Sequence, residues 1–592
     1  MMPGAAMNDD HSLDASAVSA ESAGQASPSS RSGTSILARI NQPRPILRSR
    51  IFLYVTEFFS GMAVMAAELG ASRLLAPYFS SSQIVWTIII GTIMIALALG
   101  AVVGGRWADR NPDPDRLYLC IMAAAVWIAL IPLVGKYLII LVSGLLIVAV
   151  STNFLVLAAF ISCLIIFVPP LFLLGTITPG LVKSATDSLD DNASVVGRLS
   201  ACNTVGSILG TFLPTFVTIP AVGTFVTFLI FSGILLLVAL IYFLSSHVHR
   251  LACFMATVAF VISAALSPMT GFAFWEKGLA YEGESIYNYL QVKTLADRTI
   301  LSTNVLFGVQ SVTMKHPGMT GMYYDTALAA PLMANQARSA LILGMGTGTY
   351  ARQLKRYYPR MAIQGVEIDQ SISNLAIKYF DQPADVPVST YDGRAWLAAS
   401  RQCYDLIMVD AYQDITIPFQ MSSTEFFSLV RNHLNPGGVM VVNMNMIDDG
   451  QGSINAALTN TITRVFGSDA ILTADVPQTT NRELFARRPA SEDFSGAGGD
   501  KREAMRDYPG SDLLAESAAR VSPDPDLSEM MKQVSSRLNT IGEVNGRVLT
   551  DDNAPVELLG MHAIDGIISR EAGPYRRILQ QEGIQGLIRD VS

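Results

Sequence analysis

Charge is scarce in this sequence. Only 15% of its 592 residues are Asp, Glu, Lys or Arg, half are hydrophobic, and the mean hydropathy is +0.37. A soluble domain carries about 25% charged residues, so a wholly soluble enzyme is excluded. The shortage is local: residues 51–267 hold 16 charged side chains, whereas residues 268–592 hold 65. Cysteine is thin as well. Of five, four lie in apolar segments and none forms a CxxC pair, which excludes a disulfide framework and a zinc site. The six histidines are scattered, with only His247 and His249 close together, so no metal centre is expected. A basic excess is also missing. The net charge is −8 and falls on the soluble half, which would repel nucleic-acid phosphates and suits a small cationic substrate.

What is present falls into blocks. Residues 1–50 are rich in Ser, Ala and Gly without periodicity and read as a disordered cytoplasmic tail, too polar for a secretory signal. Arg39, Arg44, Arg48 and Arg50 then precede the first apolar run and mark that side as cytoplasmic. Since about 20 apolar residues cross a bilayer as a helix, residues 51–267 read as a helical membrane bundle. Its spans fall near 51–76, 84–105, 117–135, 137–152, 154–175, 199–219, 222–244 and 250–267. An even count of eight returns the chain to its starting side and predicts a soluble part in the cytoplasm, on the inner membrane. Glu57 and Glu68, eleven residues apart, share one face of the first helix. Such intramembrane carboxylates pair within the bundle or handle a substrate. The loop Gly105-Arg106-Trp107-Ala108-Asp109-Arg110 resembles the Gly-x-x-x-Asp-Arg loop of major facilitator transporters, although eight spans make no complete transporter of that family.

The texture changes near residue 282. Runs at 286–292 and 305–309 look like short strands of a small β-rich subdomain over 268–335. From 336 onward strands at 340–343, 363–368, 386–391, 404–409 and 439–443 alternate with helices around 350–358 and 424–434. That alternation predicts an α/β doubly wound parallel sheet, with ligands at the carboxyl ends of its strands. The polar stretch 487–530 reads as an insertion or linker.

The chemistry gathers at those strand ends. Gly344-Met345-Gly346-Thr347-Gly348 follows the first strand directly, and its glycines let backbone amides approach a ligand at a helix N-terminus. The spacing is GxGxG, not the GxGxxG of dinucleotide binders, which favours a nucleoside without pyrophosphate. Glu367 ends the second strand and is placed to accept from ribose hydroxyls. Asp392-Gly393 ends the third and Asp410 the fourth. Any one of these acids by itself would be read as a helix cap.

This constellation resembles the S-adenosylmethionine-dependent methyltransferase fold and, more narrowly, the spermidine synthase (polyamine aminopropyltransferase) family. The similarity covers roughly 282–450. The membrane half resembles bacterial fusions in which a transporter-like bundle precedes such a domain. Two strings support the fusion type: Asp410-Ala411-Tyr412-Gln413-Asp414-Ile415-Thr416-Ile417-Pro418-Phe419 and Leu549-Thr550-Asp551-Asp552-Asn553-Ala554-Pro555-Val556-Glu557. The resemblance implies that Glu367 holds the ribose, Asp392 and Gly393 the adenine, and Gly344, Gly346 and Gly348 the methionine-derived arm. It implies that Asp410 accepts the proton of the attacking amine and that Tyr323 and Tyr412 face that amine. The sequence also departs from the family. Thr347 stands where the glycine loop has an aspartate for the aminopropyl nitrogen, Gln413 where a second aspartate binds polyamine, and Asn288 where a glutamine flanks the nucleoside. Asp325 and Asp414 are candidates to replace the missing negative charge.

Three functions therefore compete. One is a membrane-anchored aminopropyltransferase moving the aminopropyl group of decarboxylated S-adenosylmethionine to an amine such as putrescine. Another is an S-adenosylmethionine-dependent methyltransferase, for which Thr347 is harmless. The third is a non-catalytic module sensing a nucleoside or polyamine for the membrane bundle. The expected surroundings are a lipid bilayer and a small amine, with no nucleic acid and no metal; a homo-oligomer is left open.

Overall fold

The computed structural model describes residues 45–79, 82–149, 153–185, 192–267, 271–276, 278–305, 308–411, 417–445, 450, 452–490, 511–541, 546–564 and 566. The apolar half folds into α1 (Arg50–Phe79), α2 (Gln83–Arg110), α3 (Pro114–Ala149), α4 (Phe154–Gly175), α5 (Ile177–Ala185), α6 (Asn192–Leu213), α7 (Ile219–Ser246) and α8 (Arg250–Leu266). Among the described residues five helical stretches are long and apolar enough to cross a membrane by length and composition. One of them, residues 193–246, is 54 residues long and folds back on itself at Gly223, whose φ of 81° breaks the helix. The 17-residue α8 follows. Among the described residues the chain thus passes along the bundle seven times. The expectation of eight spans fails at α3, because 117–135 and 137–152 lie in one unbroken helix that carries Pro132 and Lys136 without interruption. The count of eight therefore does not hold among the described residues.

Small residues set the closest helix contact. A Cβ at Gly206 would stand 2.0 Å from the Phe58 carbonyl oxygen and one at Gly210 2.1 Å from that of Met62. This four-residue spacing of glycines brings the α1 and α6 backbones together, as membrane helices commonly do. Glu57 is buried at that seam, where Oε1 accepts from Thr178 Oγ1 at 2.6 Å and Asn203 Nδ2 at 2.9 Å.

The polar half opens with β1 (Leu279–Glu284), β2 (Tyr289–Thr294), β3 (Arg298–Ser302) and β4 (Ser311–Met314), an antiparallel four-stranded sheet in chain order. The β-rich subdomain is present, but residues 305 and 308–309 form no strand and connect β3 to β4 instead. A second sheet of eight strands follows: β5 (Ser339–Leu343), β6 (Ala362–Glu367), β7 (Val388–Thr390), β8 (Tyr404–Val409), β9 (Leu434–Met444), β10 (Ile471–Asp475), β11 (Arg482–Arg487) and β12 (Leu538–Thr540). Their order is β12-β10-β11-β9-β8-β5-β6-β7. Strands β5–β9 pair in parallel and the others antiparallel, giving the doubly wound fold expected. Leu341, Leu343, Leu406, Ile407, Met408 and Val409 are buried on both faces of the sheet, as a parallel core requires. Chain order reverses between β5 and its neighbours β6 and β8, so the carboxyl ends of these three strands flank a crevice.

Candidate active site

The crevice is a cavity of about 310 Å³. Its wall includes Asn288, Tyr323, Gly344, Gly346, Glu367, Asp392, Gly393 and Asp410, eight of the residues singled out from the sequence. The glycine loop has to be glycine at its first position. Gly344 has φ 87°, and a Cβ there would lie 2.4 Å from the Asp410 carbonyl oxygen. Beyond it, Gly346 N–H donates to Glu367 Oε2 at 2.8 Å, and Asp369 N–H donates to Oε1 at 3.1 Å. Glu367 is buried, and that burial pushes its pKa up to about 7 against these two bonds. Asp392 is both a cap and a cavity acid: its Oδ1 accepts from Ala395 N–H at 2.8 Å at the start of a short helix, Gly393–Ala399, while the residue lines the wall.

Asp410 has the most defined surroundings. Its Oδ2 accepts from the Tyr323 hydroxyl at 2.6 Å and its Oδ1 from Asn443 Nδ2 at 2.9 Å. Asn443 is itself fixed, because its Oδ1 accepts from Asn481 Nδ2 at 2.8 Å. Burial pushes the Asp410 carboxyl up to about 7, the two hydrogen bonds oppose the shift, and the charge of Glu367 adds to it. Tyr323 is buried at the start of α9 (Tyr323–Ala327), and burial together with the adjacent Asp410 holds its hydroxyl firmly protonated.

Several expected residues do other work. Asp325 does not reach the cavity. Its oxygens accept from Thr320 N–H and Oγ1, Gly321 N–H and Gln353 Nε2, so it ties a turn rather than binding an amine. Thr347 is buried and is not among the wall residues; its N–H donates to Oγ of the wall residue Ser311 at 3.3 Å. Gly348 caps the helix Thr349–Tyr357 with φ 81° and is likewise absent from the wall. Tyr412, Gln413 and Asp414 lie outside the described residues. Among the described residues no group of three His, Cys, Asp or Glu could hold a metal ion.

Residues 322–484 match the family described as "Spermine/spermidine synthase domain". A "Probable polyamine aminopropyl transferase" of Bifidobacterium longum is 66% identical over 354 residues, which is 60% of this chain and 78% of that protein. The chain belongs to this family. It is an aminopropyltransferase. A "Polyamine aminopropyltransferase" of Vibrio vulnificus is 30% identical over 188 residues, 30% of this chain and 62% of its own. Among solved structures, a probable spermidine synthase from Corynebacterium glutamicum covers 45% of this chain and 98% of its own, at 19% identity and a TM-score of 0.32.

In this aminopropyltransferase, sequence reasoning missed four residues that shape the site. Asp369 Oδ2 accepts from Ser285 Oγ at 2.5 Å and Asn288 Nδ2 at 3.3 Å, tying the small sheet to the end of β6. Asp551 clasps Arg394 through two bonds of 2.7 and 2.6 Å and accepts from Ser423, which explains why the second string accompanies the first. Asn443 closes β9 and was legible as a polar residue ending an apolar run. Glu483 stands opposite Asn443 across β9 and β11, is fully buried, and has no hydrogen-bond partner on either carboxyl oxygen. Burial, and then the charge of Asp410, push its pKa well up.

Proposed function

We propose that this chain is a membrane-anchored polyamine aminopropyltransferase that moves the aminopropyl group of decarboxylated S-adenosylmethionine onto a small cationic amine such as putrescine. The arrangement of Asp410 carries this reading: a cavity-lining carboxylate whose two oxygens are aimed by Tyr323 and Asn443. The displacement needs little activation of its leaving group. The amine nitrogen attacks the carbon next to the sulfonium, the C–N bond forms, and the C–S bond breaks with its electron pair moving to a neutral thioether. The barrier is lowered chiefly by alignment and by removing a proton from the amine, whose ammonium has a pKa of about 10. A carboxylate with its pKa pushed up to about 7 is a stronger base than an ordinary aspartate and is still ionised in part at neutral pH.

The rest of the wall suits the nucleoside half of the donor. Glu367 offers a charged acceptor to ribose hydroxyls, Asp392 one to an amino group, and Gly344 and Gly346 leave room for the sulfur-bearing arm. A cavity of about 310 Å³ is in the range of small-molecule sites. Membrane anchoring rests on the length and composition of the apolar helices.

Detergent-purified protein should convert putrescine and decarboxylated S-adenosylmethionine into a triamine and methylthioadenosine, both identified by mass spectrometry. Methylated product from the carboxylated donor, with no triamine from the decarboxylated one, would overturn the proposal.

A further inference from the structure

We propose that Arg73, on the apolar helix α1, is a positioning residue for the nucleoside half of the donor. This rests on the nucleoside site assigned above and gives the bundle a part in that site beyond anchoring.

The turn between β1 and β2, residues 285–288, contributes Tyr287 and Asn288 to the wall of the donor cavity. Ser285 sets its shape. The Ser285 N–H donates to Asn288 O at 2.8 Å, and Ser285 Oγ accepts from Tyr287 N–H at 3.1 Å and Asn288 N–H at 2.9 Å. Burial does little to hold the turn in place, because Ile286 is 45% and Tyr287 38% exposed. A second cavity, of about 220 Å³, lies between the turn and Arg73, Pro77 and Trp86 of the bundle. Tyr287, Asn288 and Thr303 line both cavities. A turn bordered by two cavities keeps its place through directional bonds.

Those bonds reach it from two directions. From the bundle, one terminal nitrogen of the Arg73 guanidinium donates to Ser285 O at 3.2 Å and the other donates to Ile286 O. Glu284, the last residue of β1, accepts from the N–H and the Oγ1 of Thr224 in α7, both at 2.6 Å. From the large sheet, Asp369 Oδ2 accepts from Ser285 Oγ at 2.5 Å and Asn288 Nδ2 at 3.3 Å. Asp369 N–H in turn donates to Glu367 Oε1 at 3.1 Å. A continuous chain of bonds therefore runs from Arg73 through the turn and Asp369 to the acid assigned to the ribose. Arg73 itself is not part of the donor-cavity wall, so it acts through the turn. Its rigid planar fork suits two successive carbonyls, which the single ammonium of a lysine cannot hold in the same fixed geometry.

Arg73→Met removes both bonds and keeps a long apolar stem. In the detergent-solubilised full chain, the donor KM should rise about tenfold, the scale of one hydrogen bond from a charged group. The kcat at saturating donor and the KM for putrescine should stay nearly unchanged. Arg73→Lys, which keeps the charge and one bond, should raise the donor KM by a smaller factor. In an Asn288→Ala background R73M should add little, because residues acting through one another do not add. An unchanged donor KM, or full additivity with N288A, would overturn the proposal. A parallel loss of kcat, both KM values and melting temperature would also overturn it, making Arg73 a purely structural tie. Should R73M fail to accumulate, R73K carries the test, and a wild-type donor KM in that variant refutes the role. Calorimetric binding of methylthioadenosine needs no turnover and separates the two readings. A wild-type protein that does not bind it would refute the nucleoside site, whereas equal binding by wild type and R73M would refute only the role of Arg73.

Discussion

Replacing Asp410 by Asn separates a base from a structural carboxylate, because the two roles move stability in opposite directions. The side chain has room for the change. In the wild type Asn443 Nδ2 and the Tyr323 hydroxyl each donate to one carboxylate oxygen. After Asp410→Asn the Asn443 amide can still donate to the oxygen that remains, and the Tyr323 hydroxyl can rotate to accept from the new amide. What disappears is the negative charge and the proton acceptor, and loss of a general base costs about 10²–10⁴-fold in rate. In the wild type the rate should climb through pH 7 as the carboxyl ionises, since its pKa is pushed up to about 7; the variant should lack that limb. Stability carries the opposite sign. An aspartate whose folded pKa exceeds its unfolded value binds protons more tightly when folded, so the protein loses stability as pH rises from the unfolded pKa of about 4 towards 7. A shift of about three units corresponds to a cost on the order of 4 kcal/mol above pH 7. D410N escapes this cost and should melt at a higher temperature than wild type at pH 8, while binding donor normally through Glu367 and Asp392. Steady-state kinetics, calorimetric donor binding and thermal melts at pH 6 and 8 test this. A turnover within a few-fold of wild type with donor affinity intact would remove Asp410 from the chemistry. A fall in melting temperature matching the loss of activity would make it a structural residue.

Glu367→Ala should weaken donor binding roughly 10- to 150-fold, the loss of a charge-assisted acceptor worth about 1.5–3 kcal/mol; unchanged affinity by titration calorimetry in a folded variant would refute the nucleoside site. Asp325→Asn should destabilise by about 1–3 kcal/mol by disturbing a carboxylate that accepts from two backbone amides, with the KM for the amine unmoved. A selective rise in that KM would restore Asp325 to the amine site. Glu483→Met should raise the melting temperature, because removing a buried polar group without partners relieves about 1–3 kcal/mol; a lower melting temperature would mean that the carboxyl is satisfied or used.

The sheet and its strand-end acids were legible because each rests on a local signal. Apolar runs fix β5 and β8, and a glycine loop with φ 87° at Gly344 follows from a two-residue reading of the strand end. Asp325 and Thr347 misled because sequence gives position along the chain but not direction. Both sit within a few residues of cavity-lining positions, yet the Asp325 carboxylate turns back to Thr320, and the Thr347 side chain is buried with its hydroxyl beside that of Thr349. Asp369 and Glu483 could not be found from spacing, since their roles depend on segments brought together from 81 and 40 residues away. The bundle failed for a different reason. Lys136 looked like an interruption between two short spans because a lone cation in an apolar run is costly in lipid. Here it is buried against Gly271 and among the rings of Tyr137, Phe225 and Phe274, so the helix runs on through it. Its partners lie far along the chain, and a charge that is paired in the fold stops being a boundary. That one pairing joins the two expected spans into a single helix.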